Sequence, residues 1–193
     1  MTEATATRNQ TSVPIIDVLA DRWSPRSYDP QYSAQEEDLQ AIFEAARWAP
    51  SAMNSQPWKF IAGARGTAAF EAIAAALVPF NQNWAGRASV LVAALARVSN
   101  DGAEQPFARH DVGQAVALLT VEAESRGLNV HQTAGSDEAA LRTAFGFGEE
   151  YRLATVFAIG KLDHSDAAPE DLLQMDASPR DRRPLDEVVT LSL

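Results

Sequence analysis

The chain contains no cysteine, so disulfides, thiolate metal sites and a cysteine nucleophile are all excluded. Its three histidines, at 110, 131 and 164, are too dispersed for metal-ligand spacing, and no metal is expected. Lysine is scarcer still. Of sixteen basic residues only Lys59 and Lys161 are lysine, which leaves fourteen arginines. No stretch of 18 apolar residues occurs, so no membrane span is expected. Residues 1–12 are polar, rich in Thr and Ala, and lack the apolar core of a signal peptide. A cytoplasmic location follows as the expectation. Positive charge is also short: 26 acidic residues against 16 basic give a net charge of -10 and a pI near 4.7. Such an acidic surface opposes nucleic acid and anionic membranes. There is no internal repeat and no low-complexity block. The 193 residues, 46% hydrophobic, predict one domain over 1–193 with a flexible tail at 1–11.

What is present is organised by period. A short helix is expected over 15–22. Ser33 with Glu36 reads as a capping box opening a second helix, whose stripe is Leu39, Ile42, Phe43 and Ala46. Pro50 closes it. Residues 58–62 alternate bulky and small side chains up to Gly63, a strand signal. A helix over 67–77 and a Val- and Leu-rich strand over 88–96 come next. The longest helical pattern is 107–126, with Val112, Val116, Leu119 and Ala123 on one face and Gly127 as its C′ residue. A strand at 128–131, a helix at 137–145 capped by Gly135 or Ser136, and a strand at 154–159 complete the series. The alternating segment 188–193 reads as a last strand. Strands interleaved with helices predict a layered α/β or α+β sheet covered by helices.

Two segments carry chemistry. Pro50-Ser51-Ala52-Met53-Asn54-Ser55-Gln56-Pro57-Trp58 lies between a helix and a strand. It sets a hydroxyl and two amides between prolines, a stiff loop offering hydrogen bonds to something flat and polar. Arg22-Trp23-Ser24-Pro25-Arg26 supplies two guanidinium forks flanking a hydroxyl. That set suits an anionic oxygen cluster, because guanidinium–phosphate bonds are charge-assisted and often bidentate.

Both segments, in this order, resemble the signatures of the FMN-dependent nitroreductase-like flavoproteins. A third, Arg180-Asp181-Arg182-Arg183-Pro184, is similar to the basic pair that closes over the flavin phosphate near the C-terminus in that family. The resemblance implies an α+β nitroreductase-like fold, with a mixed β-sheet flanked by helices. It implies an intertwined homodimer with FMN at the interface and the long helix mostly in that interface. Arg22, Ser24, Arg26, Arg180 and Arg182 would hold the phosphate and ribityl chain, leaving Arg183 at the surface. Ser51, Asn54 and Gln56 would address the ring from the other subunit. A backbone N–H at Ala134 or Gly135 would meet flavin N5, and Asn81 would be a further contact. Where many relatives carry a lysine three residues after that asparagine, this chain has Trp84.

The implied activity is NADH- or NADPH-driven, ping-pong reduction of a small acceptor such as a nitroaromatic, quinone or enone. The cofactor performs the chemistry, so no side-chain nucleophile is nominated. The segment 98–106, short and polar, would leave the flavin face open to flat acceptors. Two other readings are a flavin-binding or sensing protein with little turnover, and a cofactor-free structural dimer. Other groupings are structural. Arg109, His110 and Asp111 are adjacent on a helix and do not face each other. His131 is read as a strand-end histidine and Glu149-Glu150 as a solvated turn. Gly146-Phe147-Gly148 lacks the strand and helix of a dinucleotide site.

Overall fold

The computed structural model describes residues 9–163 and 168–192. Most of the tail expected at 1–11, together with His164 and Leu193, lies outside the described residues. The elements are helices α1 (Asp17–Asp21), α2 (Glu36–Arg47), α3 (Ala68–Ala75), α4 (Pro79–Ala85), α5 (Ala108–Ser125), α6 (Glu138–Phe145), α7 (Glu170–Ala177) and α8 (Leu185–Val188). The strands are β1 (Trp58–Ala64), β2 (Val90–Arg97), β3 (Ser99–Asn100), β4 (Ala103–Glu104), β5 (Asn129–Thr133) and β6 (Tyr151–Gly160). Apart from the segment at 188–193, each element expected from the period is present, with boundaries displaced by no more than three residues.

The main sheet has the order β1-β2-β6-β5. Its ladders are all antiparallel, so the α+β class is as expected while the parallel pair of a mixed sheet is not found among the described residues. β2 is buried along almost its whole length because both faces are covered. Val90, Val92, Ala94 and Ala96 point to a core shared with Ile42 and Ala46 of α2 and Val112, Val116 and Leu119 of α5. Leu91, Ala93 and Leu95 point the other way, to Phe70, Ile73, Trp84 and Leu141 from α3, α4 and α6. This period of two, with apolar residues on both sides, produces a helix–sheet–helix sandwich. Among the described residues no helix is long and apolar enough to cross a membrane.

Several local expectations are corrected. Ser33 does not cap α2: Gln35 is the N-cap and makes no side-chain cap bond. Glu36, Glu37 and Asp38 instead put negative charge at the positive end of the helix dipole. α6 is capped by Asp137, whose carboxylate accepts from Ala139 N at 2.9 Å and Ala140 N at 3.1 Å, rather than by Gly135 or Ser136. The C-terminal alternation does not form a strand. Leu185–Val188 is helical, and Val189 is extended and paired with no strand among the described residues. Alternation is a local pattern, whereas a strand needs a neighbour. α4 was not foreseen, although Pro79 at its first position is the usual opening. The segment 98–106 is a two-stranded hairpin of β3 and β4, turning at Asp101 (φ 49) and Gly102 (φ 82), as a type I′ turn requires.

Gly63 marks the closest approach of a helix to the sheet. A Cβ built there would lie 2.2 Å from Phe70 N and 2.6 Å from Ala69 C, both backbone atoms of α3. Gly63→Ala is therefore expected to cost on the order of 3 kcal/mol through forced separation of α3 from β1. Urea unfolding measures this, and a loss under about 0.5 kcal/mol, within the range of a neutral substitution, would contradict the close contact.

Candidate functional site

The first arginine segment is an extended stretch fixed along its length. Tyr28 is fully buried and bridges to Leu162. Asp29 N donates to Lys161 O at 2.9 Å, and Asp163 N donates to Ser27 O at 2.8 Å. On its other side stands Asp176 of α7, a buried carboxylate. It accepts from Arg26 N at 2.9 and 3.0 Å, from Ser27 N at 2.8 Å and from the Ser27 hydroxyl at 2.6 Å. His131 of β5 donates from Nδ1 to Pro25 O at 2.8 Å; a carbonyl only accepts, so the proton sits on that nitrogen.

The second arginine segment folds onto the first. Arg180 Nη1 donates to Arg22 O at 3.0 Å and to Asn9 Oδ1 at 3.3 Å. Asn9 Nδ2 donates to Ala20 O at 2.6 Å and Arg22 O at 3.0 Å, closing the junction. A cavity of about 460 Å³ is lined by Arg22, Arg180, Arg182 and also Arg183, with Leu19 and Val188 among its apolar walls. An adjoining cleft of about 260 Å³ is lined by Ser24, Arg26, His131, Asp176 and Arg180. The five residues expected at an anion site, about 160 positions apart, are thus brought together.

The electrostatics favour an anion. Burial lowers the pKa of the Arg22 guanidinium, Glu124 opposes that shift, and the charge of Arg182 adds to it. Arg26 Nε is buried with no hydrogen-bond partner among the described residues. Arg22, Arg26, Arg182 and Arg183 take part in none of the ion pairs among the described residues, as is also true of Arg65, Arg97 and Arg109 elsewhere; what sets the four apart is that they line adjoining cavities. In a protein of net charge -10, guanidinium is concentrated here, and Asp176, the carboxylate lining the smaller cleft, is engaged by backbone donors. A buried cation left without a partner is costly, and a bound oxyanion removes that cost.

The loop at 50–57 is rigid and points outward. A single 3-10 turn, Ala52–Asn54, is followed by Gln56 and Pro57. Met53, Asn54 and Gln56 all have positive φ, 54°, 55° and 47°, a strain of roughly 1 kcal/mol or more each for such residues. Buried Asp111 of α5 holds the turn by accepting from Ala52 N at 3.0 Å. Ser51 Oγ accepts from Gln56 N at 3.1 Å, Gln56 Nε2 donates to Asn54 O at 3.2 Å, and Arg97 N donates to Pro57 O at 2.8 Å. Asn54 and Gln56 are exposed, and Met53 is 99% exposed.

The loop and the arginines sit at different heights on the sheet. Trp58 lies level with Ala96 and through it with Arg152, whereas His131 pairs with Ala158. Six residues of strand separate these levels, about 20 Å. One copy of the chain does not bring Ser51, Asn54 and Gln56 to the arginine cavity.

Asn81 serves the fold. Its Nδ2 donates to Thr133 Oγ1 and, at 3.3 Å, to Gly135 O, while its Oδ1 accepts from Trp84 Nε1 at 3.3 Å. The side chain expected as a ligand contact is committed to clamping α4 against β5. Trp84 is only 1% exposed and stacks on the His131 ring, centroids 4.2 Å apart and planes at 27°. Gly135 lies close under α4: a Cβ there would meet Val78 Cγ2 at 2.7 Å and Asn81 Nδ2 at 2.9 Å, so those side chains would have to shift. Its N–H donates to Thr133 Oγ1 at 3.3 Å, whereas Ala134 beside it is exposed.

Comparison with known proteins bears on this arrangement. A sequence model of the Nitroreductase family matches residues 19–161. An uncharacterised 15.4 kDa protein of Mycolicibacterium smegmatis is 36% identical over 137 residues, 67% of this chain and 92% of that protein. The major NAD(P)H-flavin oxidoreductase of Aliivibrio fischeri is 48% identical over 48 residues, 25% of this chain and 22% of that protein. A crystal structure described as an oxidoreductase containing FMN matches with a TM-score of 0.88 at 29% identity, covering 97% of this chain and 96% of the other.

Asp176 escaped sequence reasoning, since it is a lone acid on a helix until the partner it binds is known, and Asp111, read only as structural beside His110, gave no sign that it holds the loop. Removing the first tests the site's frame. Asp176→Ala leaves the N–H groups of Arg26 and Ser27 without their acceptor, so unfolding free energy should fall by about 3 kcal/mol. A drop below about 1 kcal/mol in urea titration would show that the carboxylate does not hold the segment.

Proposed function

The chain belongs to the nitroreductase family, and on that footing we propose that it is an FMN-dependent oxidoreductase driven by NADH or NADPH. The observation that carries this reading is the gathering of Arg22, Arg26, Arg180, Arg182 and Arg183 on two adjoining cavities, with Arg26 Nε buried and without a hydrogen-bond partner among the described residues. A phosphate monoester satisfies that donor set, and the residues present fit FMN. Arg22, Ser24, Arg26, Arg180 and Arg182 would together hold the phosphate and ribityl chain. The exposed Ala134 and its neighbour Gly135 form the edge against the ring.

When bound, FMN supplies two-electron chemistry, accepting from a reduced nicotinamide and giving to an acceptor in a ping-pong cycle. The protein's part is orientation and charge. Asp176 fixes the backbone that carries Arg26, and Asn9 with the carbonyl of Arg22 holds the Arg180 guanidinium, so less ordering is left to the binding event. The loop bearing Ser51, Asn54 and Gln56 acts in this reading on the cofactor of a second copy, and the working unit is a homodimer. The exposed apolar side chains Ile15, Ile16, Val188 and Leu191 support a partner surface beside the arginine cavity. The small hairpin of β3 and β4 covers little, which favours flat acceptors such as nitroaromatics, quinones or enones. A cytoplasmic setting belongs to the same reading.

The test is the visible spectrum of the purified protein before and after anaerobic NADH or NADPH. A yellow protein that bleaches on reduction, and reoxidises with menadione or a nitroaromatic, is the expected result. A folded, colourless protein that ignores added FMN would end the proposal. Arg22→Ala combined with Arg26→Ala removes two charge-assisted contacts and is expected to weaken FMN binding about 100-fold. Full flavin occupancy in the double variant would remove both residues from the site.

A further inference from the structure

Within that reading, we propose that His131 is the proton acceptor of the anion site, its Nε2 taking up a proton when the flavin's phosphate or the charge of its reduced ring settles beside Arg26. The inference rests on FMN binding at this cleft and adds a coupling to it.

The geometry leaves one nitrogen for this task. Nδ1–H is committed to Pro25 O at 2.8 Å, so Nε2 is the acceptor of the neutral ring. Nε2 makes no hydrogen bond among the described residues, and it is not among the fully buried, unsatisfied atoms. His131 lines the same cleft as Ser24, Arg26 and Arg180, so the free nitrogen faces the space where the anion would sit.

The groups around the ring set the direction. Its charged neighbours are Arg26 and Arg180 from the two arginine segments and Asp176 from α7. Trp84 of α4, stacked on the ring, and Tyr28, hydrogen-bonded to Ala158 O across the strand pair, are neutral. Burial, chiefly, and the charge of Arg26 hold the imidazole below its ordinary value of 6.5, against the Pro25 carbonyl and Asp176. An anion at Arg26 cancels the repulsion and gives Nε2–H an acceptor, while the face of Trp84 tolerates the positive ring. The pKa therefore rises on binding.

By linkage, a ligand that raises a pKa binds more tightly as pH falls through the bound-state value, and the gain saturates below the free-state value. A rise of about one unit corresponds to about tenfold in affinity. The same arrangement acts on the free protein with its own sign. The folded pKa is depressed, so stability is full above about 6.5 and is lost as pH falls through the folded value.

Calorimetric titration of the flavin-free protein with FMN, in two buffers of different ionisation enthalpy at pH 6.5, counts the protons taken up. The phosphate's own ionisation, near pH 6, releases protons on binding to arginine. It is common to the wild type and His131→Gln, so their difference isolates the histidine. The expected result is uptake of about half a proton more by the wild type, and an FMN affinity about tenfold more pH-dependent between pH 5 and 8. Histidine-selective 15N NMR of the wild type, with and without FMN, keeps the test independent of the variant's folding. Its three histidines should include one whose titration midpoint rises by about a unit. If FMN binds and no midpoint rises, the coupling is wrong and the flavoprotein reading stands. If FMN fails to bind the folded protein, both fall together.

Discussion

The site depends on one buried carboxylate. Asp176 takes two backbone N–H groups and a hydroxyl from Arg26 and Ser27, and it sits on the helix that leads directly into Arg180 and Arg182. One side chain therefore sets the register between segments about 160 residues apart. Its charge is consumed by backbone donors, so it fixes the position of Arg26 without pairing with the guanidinium. Had the carboxylate faced the guanidinium, the strongest available counter-ion would already occupy the place that the proposed anion needs. The carbonyls of Arg22 and Pro25 work alike, accepting from Arg180 and His131 while leaving net positive charge exposed to the cavity.

What could be read from the sequence divides along the same line. Core elements were legible because their signal is local. The stripe on α5 and the alternation of β1 depend only on side chains a few positions apart. The arginine segments stood out for a different reason: like charges clustered in an acidic chain need an explanation wherever the fold puts them. Asp176 gave no such signal, because its role is defined by Ser27, 149 positions away. The segment 188–193 failed in the opposite way. Its alternation is genuine, yet among the described residues it has no neighbouring strand, and its apolar side chains Val189 and Leu191 remain exposed. Asn81 shows a third limit. Its identity suited a ligand contact, and in the fold both its N–H donors go to Thr133 and Gly135 while its oxygen accepts from Trp84, a structural role the sequence did not signal.

Trp84 is where the chain departs from the pattern its motifs lead one to expect, and the structure gives the departure a physical sense. Turned inward and stacked on His131, the indole ties α4 to the strand that also supports Pro25. The contacts run from Asn81 through Trp84 and His131 to Pro25, next to Arg26. An aromatic ring in this place adds no charge and fixes the imidazole plane, whereas a cation there would repel the imidazolium that an anion at Arg26 calls for.

The outward loop presses the argument beyond one copy. Three non-glycine residues with positive φ, a buried Asp111 spent on one N–H, and a fully exposed methionine are a considerable investment in a shape that covers nothing within its own chain. Strain of this kind persists where the surroundings over-determine it, and it clusters at binding sites. Here the surroundings are α5, through Asp111 on Ala52 N, and the end of β2, through Arg97 N on Pro57 O. The sheet keeps the two rigid features about 20 Å apart along its strands, and neither can reach the other by bending. In the proposed homodimer, each copy would set its loop against the other's arginine cavity. The proposed dimer site is then a consequence of rigidity: the chain builds both halves of a binding site and, by the stiffness of its own sheet, cannot close them on each other.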